Sequence, residues 1–278
     1  MLIFNGLEFQ NRTMKAMISF FVGLFFFSFN LVEAQNTLYL MGDSTMADYE
    51  NNYDPGISYE EKRYPLTGWG QVFHPYLHPD SLKLLKGFFP KHKSYRLVNK
   101  ARGGRSTRTF FQEGRWRSIY NQLKKKDIVL IQFGHNDAAK SKAERYVPVA
   151  GFKEFLRLYS QLIRAKGALP ILVTPVARNY PWRNGVLENV HGEYDKAVKE
   201  IALQTKTPLI DLNKRSRAFF TKEGKEKTSS MYFMNIEKGR YKAYPLGLKD
   251  NTHFQTLGAK KIAQLVFDEL KVLANEME

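Results

Sequence analysis

Acyl transfer by serine needs a hydroxyl, an imidazole to take its proton, a carboxylate to fix the imidazole, and donors for the oxyanion. In "LYLMGDSTMADY" (38–49) Ser44 follows a strand-like apolar run, between Asp43 and Thr45. A serine at a strand end is either a helix cap or a nucleophile. The chain's six histidines are His74, His78, His92, His135, His191 and His253. His74 and His78 fall one turn apart on an expected helix with no carboxylate pattern nearby, His92 lies in a lysine-rich loop, and His191 begins or interrupts a polar helix. These four read as surface or packing residues. His253 differs, because "LKDNTHFQTLGAKKIA" places Asp250 three residues ahead of it, in an expected loop before the closing helix. An aspartate at that spacing can turn back to the ring and hold its tautomer. The competing reading is that Asp250 or Thr252 merely caps the helix.

Two further segments offer oxyanion donors. "IQFGHNDAA" (131–139) carries the Asn136 side-chain amide at a strand end, and "ARGGRSTRTF" (101–110) carries backbone N–H groups at Gly103 and Gly104. Glycine permits close approach of the backbone to a reacting group. Read alone, Gly103-Gly104 is equally a tight turn, and Asn136 an Asx turn or cap.

These residues must be positioned by regular elements. Strand-like runs occupy 37–41, 95–101, 127–134, 169–176 and 207–212, and helical patterns occupy 69–78, 114–126, 150–166, 188–206 and the C-terminal segment from Thr256. In the 150–166 helix Phe152, Phe155, Leu156, Tyr159, Leu162 and Ile163 share one face and read as core. Strands alternating with helices predict a parallel sheet covered on both faces, in one doubly wound domain. Sites in such sheets lie outside the carboxyl ends of the strands. Ser44 follows the first strand, Gly103-Gly104 the second and "GHND" the third, so three unusual loops open on one edge.

Composition sets limits on the chemistry. The 278 residues are 43% hydrophobic and 25% charged, ordinary for a globular protein. There is no cysteine, which excludes disulfides, thiol catalysis, thiolate metal sites and a cysteine-linked lipid anchor. From Met14-Lys15 an apolar run leads to Val32-Glu33-Ala34 and reads as a secretory signal peptide over 1–34, with the true start at Met14 and one domain over 35–278. A retained membrane anchor is the alternative. Arg12 and Lys15 balance Glu8 and Glu33, so the expected mature chain keeps the formal net charge of +16. Such a charge attracts polyanions, and export makes an acidic polysaccharide at least as fitting a partner as nucleic acid. A generic basic surface would carry the same charge.

Taken together, "MGDSTM", "GGRSTRTF", "FGHND" and "DNTH" resemble, in order, the four signature blocks of the SGNH (GDSL-like) hydrolases. Thr45, the "GRS" and "GHND" details and "TGWG" (67–70) resemble the rhamnogalacturonan acetylesterase branch, and the resemblance spans nearly all of 37–272. It implies a three-layer α/β/α sandwich with a mostly parallel five-stranded sheet, of flavodoxin-like type. It further implies Ser44 as nucleophile, His253 as general base, Asp250 as its orienter, and an oxyanion hole from the N–H groups of Ser44 and Gly104 with the Asn136 side chain. Gly104 is preferred to Gly103 because it directly precedes Arg105-Ser106. The implied enzyme is a secreted or periplasmic serine esterase, monomeric and cofactor-free. Its substrate would be acetylated acidic polysaccharide of the rhamnogalacturonan or pectin type, with no nucleic-acid partner and no membrane contact once the leader is removed.

The stretch 223–249 departs from the family blocks. Tyr232, Arg240 and Tyr244 in it, and Arg178, Trp182 and Arg183 in "TPVARNYPWRNG" (174–185), are candidate sugar contacts, as aromatic faces stack on sugars and guanidinium groups pair with uronates. An ordinary surface loop is the alternative for 223–249. Other substrates within the esterase reading are acetylated xylan, lipid esters and aryl esters. Two other classes stay open. A metal-dependent phosphoesterase could use Asp43, His135 and His253 as ligands, although no paired histidine or Asp-x-His site accompanies them. A non-catalytic polyanion binder could use Arg102, Arg105 and Arg108.

Overall fold

Successive strand side chains point to opposite faces, so a strand that is apolar throughout needs cover on both sides. β1 (Asn36–Gly42) has this character: Leu38 and Leu40 enter one core and Tyr39 and Met41 the other. The computed structural model describes residues 36–85, 88 and 95–276, so the expected leader over 1–34, its start at Met14 and His92 lie outside the described residues.

After β1 and the two-residue β2 (Leu66–Thr67) come β3 (Tyr95–Asn99), β4 (Ile128–Gln132), β5 (Leu169–Val173), the hairpin of β6 (Trp182–Arg183) and β7 (Val186–Leu187), β8 (Leu209–Ile210), β9 (Phe233–Ile236) and β10 (Leu248–Gln255). The central sheet runs β3-β1-β4-β5-β8, and every pairing in it is parallel. β1 therefore lies between β3 and β4, so the loops after all three strands meet at one edge. A separate antiparallel sheet runs β2-β10-β9.

One face of the central sheet is covered by α1 (Thr107–Gln112), α2 (Arg115–Tyr120), α3 (Val149–Ala165) and α4 (Gly192–Gln204), through Phe110, Trp116, Phe152, Tyr159, Val198 and Ile201. The other face is covered by α5 (Leu212–Glu223) and α6 (Thr256–Glu276), through Phe220, Ile262, Val266 and Leu270, together with Trp69 and Phe73. This is the expected three-layer α/β/α sandwich with five strands. On α3, Phe152, Leu156, Tyr159 and Ile163 are buried, while Phe155 and Leu162 lie at the margin of the same stripe.

Local chemistry explains where elements depart from the sequence pattern. The expected helix over 69–78 is reduced to a 3₁₀ turn at His74–Leu77, because Pro75 lies at its start and the Trp69 indole is drawn inward to Gln132. α1 is an extra short helix, opened by a reciprocal capping box between Ser106 and Thr109. The strand expected over 207–212 stops at Ile210, since the Asp211 side chain accepts from Lys214 N and starts α5. Asp250 and His253 do not sit in a loop: they belong to β10, whose pairing with β9 slips between Asp250 and Phe254. No helix of the described residues is long and apolar enough to cross a membrane.

Phe152 is fully buried against Tyr194 in the helical layer. Phe152→Ala is expected to cost about 3–5 kcal/mol and to lower Tm by roughly 6–20 °C in thermal unfolding.

Candidate active site

At the end of β1 the chain turns without entering a helix, so Ser44 caps nothing; only a turn follows, with Met46 N on Asp43 O and Ala47 N on Ser44 O. Its Oγ instead lies 2.7 Å from His253 Nε2. His253 Nδ1 is 2.6 Å from Asp250 Oδ2, and Asp250 Oδ1 accepts from the backbone N–H groups of Thr252 (2.7 Å) and His253 (3.1 Å). Burial works against the Asp250 charge, but the His253 ring and those two backbone donors outweigh it and hold the carboxyl at about 2. An ionised carboxylate can only accept, so His253 Nδ1 carries the proton and Nε2 presents a lone pair to the Ser44 hydroxyl.

The turn holding Ser44 is anchored by a second carboxylate. Asp43, fully buried, accepts from Thr45 N (2.9 Å) and Thr45 Oγ1 (2.8 Å) on one oxygen and faces His135 Nδ1 (3.1 Å) on the other. Burial alone would raise Asp43, but the His135 ring and the Thr45 donors bring it below the usual carboxylate range, while burial keeps His135 neutral. Behind Thr45, Gln132 Nε2 donates to its Oγ1 (2.6 Å) and Trp69 Nε1 donates to Gln132 (3.0 Å). Trp69 comes from "TGWG", which lies so close that a Cβ on Gly68 would fall 2.1 Å from Ala47 O.

The two oxyanion candidates flank this turn. Asn136, at the end of β4, is buried and donates one Nδ2 hydrogen to Arg105 O (3.0 Å), leaving the other amide hydrogen for a ligand. A Cβ on Gly103 would stand 3.6 Å from Ser44 Cβ, so the glycine pair adjoins the serine. Gly103 N–H is already given to the Tyr53 hydroxyl (2.5 Å), whereas the N–H groups of Gly104 and Ser44 meet no acceptor among the described residues. Gly104 has φ +79, a left-handed conformation that disfavours any side chain. Asp137, one residue on, ties the two loops together by accepting from Thr107 N, Thr107 Oγ1 and Gly134 N.

Several neighbours of the site carry no signal in the sequence. Tyr49 donates to Ser44 O (3.0 Å) and stacks on Tyr53, whose ring lies under Arg102. Arg145 Nη1 is 3.3 Å from where a Cβ on Gly104 would be. These contacts come from loops whose course no periodicity encodes.

The expected sugar contacts fare unevenly. Tyr232 is 3% exposed, packed among Phe219, Phe220 and Phe233 and bonded to Glu223, so it is a core residue and not a sugar contact. Arg183 lies on the β6–β7 hairpin with a side chain 76% exposed and pairs with Glu188 (3.2 Å). Arg178 spends its terminal nitrogens on Tyr180 Oη (2.6 Å) and His135 O (3.3 Å), bracing the "GHND" loop. Trp182 donates to Asn179 (3.0 Å) and lies partly in the core. Arg240 lines a separate cavity of about 310 Å³ with Tyr64, Tyr241 and Lys260. Tyr244 is half-buried and near enough to Asp250 and Arg63 to feel both charges, although burial is the main reason its hydroxyl is raised. The basic cluster of Arg102, Arg105 and Arg108 is tied down within the protein: to Asn52 O, to Glu113 and Gly103 O, and to Ala143 O respectively. Among the described residues no three His, Asp or Glu side chains are grouped to hold a metal ion.

A serine–histidine–aspartate chain at the carboxyl edge of a parallel sheet, with amide donors beside the serine, defines the site as that of a hydrolase. The chain matches the GDSL-like Lipase/Acylhydrolase family over residues 38–266, and it belongs to that family, a carboxylic ester hydrolase of the SGNH type. It is similar to the protein named Probable rhamnogalacturonan acetylesterase YesY of Bacillus subtilis (38% identity, covering 86% of this chain and 94% of the other). It is also similar to Rhamnogalacturonan acetylesterase RhgT of the same organism (34% identity, 85% and 90%). Among solved structures, the Bacillus subtilis protein YxiM superposes with TM-score 0.67 at 29% identity, over 86% of this chain and 57% of that one. An acetylxylan esterase from Geobacillus stearothermophilus superposes with TM-score 0.54 at 18% identity, over 86% and 96%, a likeness of fold alone.

Because Asp250 ionises more readily folded than unfolded, its contribution to stability is present above the unfolded value near 3.9 and is lost as pH falls toward about 2. Asp250→Asn is expected to flatten the slope of unfolding free energy between roughly pH 4 and 2, measured by denaturant titration at each pH.

Proposed function

We propose that this chain is a secreted serine esterase that removes acetyl groups from acidic plant cell-wall polysaccharide of the rhamnogalacturonan type, through an acetyl-Ser44 intermediate. The observation that carries the reading is the 2.7 Å contact between Ser44 Oγ and His253 Nε2, with Asp250 behind the ring and unspent amide donors beside the serine. The names of the two Bacillus relatives support the substrate class. The apolar leader pattern ending at Ala34 and the net charge of +16 support export toward an anionic polymer.

In this mechanism Ser44 Oγ bonds to the acetyl carbonyl carbon as its proton passes to His253 Nε2. The carbonyl oxygen becomes the oxyanion, received by the N–H groups of Ser44 and Gly104 and by the Asn136 amide. Asp250 stabilises the imidazolium. The carbon–oxygen bond to the sugar then breaks, and the sugar hydroxyl leaves with the proton from Nε2. Water attacks the acetyl-serine with His253 again as base, releasing acetate and restoring the hydroxyl. Every proton is accounted for by Ser44, His253 and water, and the cycle calls for no cofactor.

The test is acetate release from acetylated pectic rhamnogalacturonan, acetylated xylan and small aryl acetates, with and without EDTA. Turnover is expected on all small acetates, best kcat/KM on the pectic substrate, and no loss with chelator. Ser44→Ala and His253→Ala are each expected to lower kcat by about 10⁴–10⁶. Near-normal acetate release by Ser44→Ala would refute the assignment.

Tyr53→Phe removes only the hydroxyl that holds Gly103 N–H. It is expected to lower kcat by roughly tenfold or more, the scale of a disturbed oxyanion donor, with KM and Tm nearly unchanged.

A further inference from the structure

Beside the strand that carries Asp250 and His253 lies an open cavity of about 850 Å³, within the size range of small-ligand sites. Its lining includes Lys225, Lys238 and Lys249, with Glu237 the one carboxylate among the lining residues. None of these three lysines forms an ion pair among the described residues, whereas nearby Lys227 is paired with Glu223. The lining therefore carries three lysines against one glutamate.

Between them runs a hydrogen-bonded row of amides. Asn251 Oδ1 accepts from both Asn179 Nδ2 (2.9 Å) and Asn235 Nδ2 (2.9 Å), and Asn251 O accepts from Asn179 N (2.8 Å). Two donors converging on one atom require that atom to be oxygen. The Asn251 Nδ2 group is then fixed in place with both hydrogens unspent, on an exposed residue of the cavity wall. Asn235 is itself held by Ser229 Oγ (3.0 Å), and Asn179 accepts from the Trp182 indole (3.0 Å), so the row is braced at both ends. Oriented amide donors with flanking ammonium groups are what a carboxylate and its neighbouring hydroxyls would meet; the exposed Leu246 adds an apolar surface for a sugar face.

Asn251 follows Asp250 directly and lies two residues from His253 on β10. The same irregular stretch of β10, where the pairing with β9 slips, therefore carries both the histidine and part of the cavity wall. We propose that this cavity is an anion-recognition subsite, in which Asn251, Lys225, Lys238 and Lys249 hold a uronate carboxylate of the polymer while a neighbouring sugar presents its acetyl group to Ser44. The inference rests on the acidic-polysaccharide reading above and adds the place where the acid is read.

The test is calorimetric titration of the full chain with an unacetylated galacturonate oligomer, a probe that needs no turnover. The triple variant Lys225→Gln, Lys238→Gln, Lys249→Gln is expected to raise Kd at least roughly tenfold, since three weak charge contacts together reach that factor. A charge-matched control, Lys124→Gln, Lys125→Gln, Lys196→Gln, is expected to keep Kd within about twofold, because its lysines lie outside the cavity lining. Hydrolysis of a small aryl acetate is expected to be equal in all three proteins. Absence of binding to the parent, or equal weakening by the two triple variants, overturns the subsite. Cavity-dependent binding in a parent that cleaves no acetate would leave the subsite standing and remove the esterase reading instead.

Discussion

The contact between Ser44 and His253 spans 209 positions of the chain and is the constraint on which the rest of the site depends. β1 must end where β10 passes, although the two strands belong to different sheets. The small antiparallel sheet is therefore not an ornament on the parallel one. β2 pairs with β10 at Thr67 and Leu66, and the same Thr67 hydroxyl lies 3.0 Å from Thr256 Oγ1 at the start of α6. The following residues of the β2 segment, Gly68 and Trp69, press against the turn that holds Ser44. The histidine and the serine are thus located against a common segment, which is how two distant stretches of chain can be held to hydrogen-bond precision.

The carboxylates of the site illustrate how charge can be kept where burial opposes it. Burying an ionised group is costly unless its lone pairs are satisfied. Asp43 meets Thr45 and His135, and Asp250 meets His253 and two backbone N–H groups; in both, the donors outweigh burial and the acid stays ionised. Asp137 is as buried as Asp43 and has three donors, but desolvation dominates and the Asp43 charge adds to it, pushing its carboxyl up to about 7. The two histidines differ in their partners. His135 has a carboxylate on one nitrogen and, among the described residues, no partner on the other, and it packs edge-on against His191. His253 has a carboxylate on one side and a hydroxyl on the other. Only the second arrangement joins a carboxylate to a hydroxyl through the ring.

What was legible in the sequence was what depends on strand ends. Ser44, Gly104 and Asn136 each follow an apolar run that parallel pairing brings to one edge, where Gly103 adjoins Ser44 and Asn136 donates to Arg105 O. Asp250 and His253 were legible through their spacing of three, although the expected loop is an irregular strand. The residues that went unread are set by loop course: Tyr49 and Tyr53 reach Ser44 and Gly103 from a segment with no periodicity, and Arg145 reaches Gly104 likewise. Tyr232 was misread for a related reason. An aromatic in a basic, irregular stretch looks exposed, yet its ring completes a cluster with Phe219, Phe220 and Phe233 that only the fold assembles. Arg178 reads in the sequence as a candidate sugar contact, whereas in the structure its guanidinium bonds to Tyr180 and to His135 O.

The division of labour between the two sheets also bears on how specificity can vary without loss of chemistry. The parallel sheet supplies Ser44, Gly104 and Asn136 from strand ends locked by Asp43 and Asp137, where any displacement would leave buried carboxyl oxygens without their donors. β10 supplies His253 on one stretch and, in the adjacent Asn251 and Lys249, part of a cavity wall completed by the β9–β10 connection and the helical segment 225–229. That connection is solvent-facing and carries little core: Leu246 is 83% exposed. Substitutions there face a small stability cost, whereas substitutions at the Asp43 and Asp137 anchors face a large one. The cavity wall is thereby free to change while the geometry of Ser44, His253 and Asp250 is not, because the bond between Asp250 and His253 is made locally within β10 and does not depend on the shape of the wall beyond it.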